Sequence, residues 1–157
     1  MKLCHFSENH IAIFMNASSN VSNVEIANKV ASTATLFRKY FPDASVNFSP
    51  WENLNDETKL DTLDFAFHFP GWSPLIECRA VILQLRIEKE SENGVPKLLG
   101  IIMRGMIIPS ERWRVATIGE WELTGTHLPQ KQQKDNLFLV CKELYNLFST
   151  TSTSNKN

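Results

Sequence analysis

The sequence predicts an α+β fold, a two-layer sandwich in which an antiparallel meander of four to six strands carries an N-terminal and a C-terminal helix on one face. Three observations lead there. Residues 62–123 read as nearly continuous strand, interrupted only by turn-forming residues. Segments of helical period flank that block on both sides. Neither βαβ alternation nor an internal repeat occurs, which argues against a nucleotide fold built on a parallel sheet.

Taken in order, residues 10–15 form a short apolar run that reads as a strand, followed by a turn-favouring cluster at 16–20. Ser22 stands three residues before Glu25, the reciprocal capping box that satisfies two orphan amides, so a helix is expected to begin there. Ala27, Val30, Ala34, Phe37 and Phe41 recur at spacings of three and four and form its buried stripe, with Glu25, Lys29 and Arg38 facing away. Pro42 ends it, since proline neither donates an amide nor tolerates the preceding turn. A strand at 46–48, a turn at 49–51 and a short polar helix ending near Leu60 are expected next.

The meander opens at 63–69, where large apolar residues take every odd position. After a Pro-Gly turn, residues 78–89 set Val81, Leu83, Leu85 and Ile87 on one face and Gln84, Arg86 and Glu88 on the other. Asn93-Gly94 is a strong hairpin signal because both residues accept positive φ. It also conflicts with burial. A two-residue turn would set Leu83 beside Arg104, whereas an odd-length loop aligns Leu83 with Met103 and Leu85 with Ile101. Register follows burial, so the second pairing is expected, with a bulge at Gly100 or Gly105 reconciling the two signals. Pro109-Ser110 turns the chain into a strand over 112–123, the cleanest alternation in the sequence. Residues 124–133 read as a polar loop and 136–148 as a helix burying Leu137, Val140, Cys141, Leu144 and Phe148. One domain is expected over residues 1–148, with a low-complexity, disordered tail at 149–157.

The 157 residues are 43% hydrophobic and can bury a normal single core without a metal or disulfide. A formal charge of -1 supplies no field for gathering phosphate backbones or anionic lipid, so neither nucleic acid nor membrane is expected as a partner. Cys4, Cys78 and Cys141 are odd in number and lie far apart in apolar segments, which suggests free thiols in a reducing, cytoplasmic setting. The first ten residues lack the apolar core of a signal peptide.

No catalytic or ligand motif rides on the sheet, and no cofactor or metal is expected. Cys4, His5 and His10 match no zinc spacing. The glycines at 94, 100 and 105 precede no helix and carry no phosphate-loop lysine. Asp64 and His68 share the polar face of one strand and are the best acid/base pair available, which makes an enzyme the second alternative. The leading expectation rests on the even strand positions, which are more apolar than a solvated face normally is. Ile82, Gln84, Arg86, Ile102, Arg104, Met106 and Ile118 are therefore expected to form a partner surface, most simply in a homodimer or with another protein. If that face is covered, Arg104 needs an acid, and Glu88, Glu120 and Glu122 are the candidates. The first alternative is a carrier of an apolar small molecule, held between sheet and helices by Phe65, Phe67, Trp113 and Trp121.

Overall fold

Among the described residues, helix α1 (Val24–Tyr40) opens the order of elements. Six strands follow, namely β1 (Ser45–Asn47), β2 (Thr62–Ser73), β3 (Cys78–Glu88), β4 (Lys97–Ile107), β5 (Ser110–Ala116) and β6 (Glu122–Gly125), and helix α2 (Lys131–Ser149) closes it. The computed structural model describes residues 16–17, 24–51, 62–88 and 96–149. The expected strand at 10–15, the capping residue Ser22, the polar helix before Leu60, the Asn93-Gly94 turn and the tail beyond 149 lie outside the described residues.

The six strands form one antiparallel sheet in sequence order, β1-β2-β3-β4-β5-β6, and the two helices pack together on its first face. Along most of β2 to β5 the odd positions point to that face, joined by Val46 of β1, Cys78 of β3 and Leu98 at the start of β4. Leu63, Phe65, Phe67, Val81, Leu83, Leu85, Ile87, Ile101, Met103, Trp113 and Val115 are fully buried against Val30, Ala34 and Phe37 of α1 and Leu137, Val140, Cys141 and Leu144 of α2. Pro42 lies just past the end of α1, and Phe41 still donates its amide to the carbonyl of Phe37 at 3.0 Å. Lys29 departs from expectation: it is only 4% exposed, and its Nζ donates to the carbonyl of Leu147 at 2.5 Å, near the end of α2. A cation there meets orphan carbonyls and the negative end of the helix dipole, which is why it is tolerated in the core.

The ladder between β3 and β4 changes parity along its length, and its first pairs lie two residues from the Glu88–Leu99 pairing that a two-residue turn at Asn93-Gly94 would set. At the adjoining ends of the two strands Glu88 pairs with Lys97 and Ile87 with Leu98, odd to even. The register then shifts at Leu99, beside Gly100, so that Leu85 meets Ile101 and Leu83 meets Met103. A second shift follows Gly105, where Gly105 pairs with Trp113 but Met106 pairs with Glu111, leaving Arg112 without a ladder partner. The Trp113 indole lies directly over Gly105, in the space a Cβ would need.

The strand expected over 112–123 is corrected. Residues 112–123 are not a single strand but a hairpin of β5 and β6, with Val115 opposite Leu123 and Ala116 opposite Glu122. Gly119, at φ 79°, sits in the connection. Five residues separate Ala116 from Glu122, and an odd-length turn returns odd positions to odd positions, so the alternation runs through it unbroken.

Candidate functional site

The second sheet face is where burial exceeds what a solvated surface requires. The first half of β2 directs Asp64, Ala66 and His68 there, β3 adds Ala80, Ile82, Gln84 and Arg86, and β4 adds Ile102, Arg104 and Met106. The shift after Gly105 turns Glu111 onto this face, although simple alternation would send it to the other.

Trp51 closes one half of the face. Its backbone is clamped by Asn16, whose Oδ1 accepts the Trp51 amide at 2.8 Å and whose Nδ2 donates to the Trp51 carbonyl at 2.9 Å. The side chain joins Ala66, Ile82 and Met106 in a second apolar cluster, flanked by Ile108. The indole Nε1 donates to Asp64 Oδ2 at 2.5 Å, and Gln84 Nε2 donates to the same oxygen at 3.2 Å. Asp64 is fully buried. Burial pushes its carboxyl up to about 7, against the lowering effects of hydrogen bonds from Trp51, Gln84 and Thr62 and of the Arg104 charge.

Arg104 is 8% exposed and faces Glu111, with Nε 3.7 Å from Oε1. Arg114 grips the same carboxylate from its own strand, Nε to Oε1 at 2.8 Å and Nη2 to Oε2 at 3.1 Å. Glu111 is thus the acid that the buried guanidinium requires, in place of Glu88, Glu120 or Glu122. Burial, and then the neighbouring Arg114, lower the pKa of Arg104, while Glu111 and Asp64 oppose that shift.

Asp64 and His68 do not form a proton-sharing pair. Four residues along a strand separate them by about 13 Å. The shift of each is dominated by its own desolvation, which lowers His68 and raises Asp64. The polar face expected around Asp64 is in fact interior, because Trp51 lies over it.

The other predicted site residues separate into groups. Ile82, Gln84, Arg104 and Met106 are buried within the chain itself, so their contribution to an external surface is small. Arg86 is exposed, Ile102 half-buried, and Ile118 is 58% exposed with its side chain over Gly100. Phe65, Phe67 and Trp113 are fully buried between sheet and helices. Phe67 stacks on Phe37 at 3.9 Å between ring centres, and Trp113 Nε1 donates to the Ile76 carbonyl at 2.7 Å. Trp121 lies apart from them, outside the strands, stacked on Tyr145 at 5.6 Å and Phe138 at 6.3 Å. Asn16, Trp51 and Glu111 were not foreseen as part of this face. Trp51 meets Asp64 only through tertiary folding, and Glu111 depends on a bulge that alternation cannot show.

Among the described residues no cluster of His, Cys, Asp or Glu is arranged to hold a metal ion, and no helix is long and apolar enough to cross a membrane. Together the fold and this face define a small α+β domain whose sheet is covered by helices on one side and half covered by its own tryptophan on the other. The chain belongs to a family described as a domain of unknown function, whose model matches residues 18–150. No curated protein and no solved structure shows significant similarity to it.

Proposed function

We propose that this protein is a non-enzymatic interaction module that self-associates through the open half of its second sheet face. The observation that carries the reading is an apolar stripe flanked by opposite charges. Ile102 and Ala116 are cross-strand partners on β4 and β5, and Ile118 lies beside them over Gly100. Arg86 stands on β3 to one side, paired with Gly100, and Glu122 on β6 to the other, paired with Ala116. All of this lies beyond the half that Trp51 covers.

A two-fold axis running along the strands between β4 and β5, in the plane between two facing sheets, lays stripe on stripe. It also carries Arg86 of each copy towards Glu122 of the other. The apolar centre supplies association and the rim charges supply orientation, as in other self-complementary interfaces.

Sedimentation velocity on the wild type, Arg86→Glu, Glu122→Arg and the double variant tests this. Each single reversal is expected to raise the half-association concentration about tenfold, because two exposed pairs per dimer turn from weak attraction to repulsion. The double reversal is expected to restore wild-type association. Single reversals without effect, or a double variant no better than the singles, would overturn the proposed orientation.

A further inference from the structure

The ladder between β2 and β3 is interrupted at one end of the sheet. His68 pairs with Ala80 and Ser73 with Cys78, so the four residues from Phe69 to Trp72 stand against Arg79 alone. Such an excess of residues lifts the longer strand away from its neighbour. Pro70, within the raised segment, has no amide to contribute to a ladder. A half-open cleft of about 330 Å³ results, lined by His68, Phe69, Pro70, Arg79, Ala80, Ile107 and Ile108. That volume lies at the lower end of small-molecule sites, which run from about 300 to 1,000 Å³.

The lining combines one cation, one imidazole and a ring of apolar surface. Arg79 is exposed, and among the described residues its guanidinium makes no ion pair with a carboxylate. His68 is half-buried, and desolvation lowers its pKa, so near neutral pH it presents one N–H donor and one acceptor rather than a second positive charge. Phe69, Pro70, Ala80, Ile107 and Ile108 supply the walls. One planar fork of N–H donors matches one carboxylate, and the walls match an apolar body attached to it. A phosphate ester with two negative charges would find a single guanidinium and no further cation among the lining residues.

We propose that this cleft binds a small monocarboxylate bearing an apolar group, with the Arg79 guanidinium on the carboxylate, the His68 imidazole donating to it, and the apolar tail between Phe69 and Ile108. The site is separate from the Ile102, Ala116 and Ile118 stripe, so it stands whether or not the protein self-associates.

Phenylbutyrate is a suitable probe, with phenylbutanol as its uncharged counterpart. Both are titrated into the full chain and followed by heteronuclear NMR, alongside Arg79→Gln and Arg79→Lys. Phenylbutyrate is expected to shift the amides of His68, Phe69, Ile107 and Ile108 and to bind about tenfold more tightly than the alcohol, equivalent to one good charge-assisted contact. Arg79→Gln should abolish that preference, and Arg79→Lys should keep part of it. Equal binding of acid and alcohol would overturn the carboxylate assignment. Shifts centred elsewhere, or none at millimolar probe, would overturn the site itself.

Discussion

Asp64→Asn is the most informative single substitution in this chain. Asparagine keeps the size of the side chain and an oxygen that can accept from both Trp51 Nε1 and Gln84 Nε2, the two donors that Asp64 Oδ2 serves. Titration is removed. In the folded protein the Asp64 carboxyl is pushed by burial from 3.8 up to about 7, so between those values the native state holds a proton that the unfolded chain has released. Stability from this group is therefore fully present below about pH 4 and is lost as pH rises through about 7. At 1.36 kcal/mol per pKa unit the loss is on the order of 4 kcal/mol. His68 works in the opposite direction, since its lowered pKa makes stability fall as pH drops through its unfolded value. That contribution cancels when wild type and variant are compared at the same pH. Urea unfolding followed by tryptophan fluorescence should find the two proteins nearly equal at about pH 4 and the variant more stable by about 2 to 4 kcal/mol at about pH 8. A variant less stable than wild type at the higher pH would rule out a carboxyl held protonated by burial, because it would show an ionised Asp64 stabilised by Arg104. So would a difference that does not change with pH.

Three further outcomes follow from the packing. Gly105→Ala places a methyl where the Trp113 indole lies and should destabilise the fold by about 3 kcal/mol, read as a lower urea midpoint with an unchanged slope. Lys29→Ala removes the contact with the Leu147 carbonyl and should lower stability by about 1 to 2 kcal/mol; no change would mean the end of α2 is satisfied without it. Burial pushes the Cys78 and Cys141 thiols up to about 12, so a disulfide reagent at mildly alkaline pH should leave both unmodified until urea is added.

The layout of the sheet was legible because register obeys burial. Leu83 and Leu85 needed apolar partners on the helix-covered face, and that need located Met103 and Ile101 and implied a shift near Gly100. The same logic concealed the β5–β6 hairpin, since five intervening residues preserve parity and only Gly119 breaks the pattern. On α2 the 3.6-residue period identified all five buried positions, Leu137, Val140, Cys141, Leu144 and Phe148. Polar residues in the interior were the least legible. Asp64, Lys29 and Arg104 are each made tolerable by a group distant in sequence or moved by a bulge, namely Trp51, Leu147 and Glu111, and a periodicity argument sees none of these. Whether an apolar sheet face meets a partner or is covered by its own chain depends on tertiary placement: Trp51 covers one half and leaves the Ile102, Ala116 and Ile118 stripe at the other.

Self-association through that stripe makes the mass of the protein depend on its concentration. Sedimentation equilibrium of the wild type, from low micromolar to about a hundred micromolar, should show the mass rising from 17.9 kDa towards twice that value, with Ile118→Asp holding it at the lower figure. A wild type that stays at 17.9 kDa throughout would rule out self-association through the stripe.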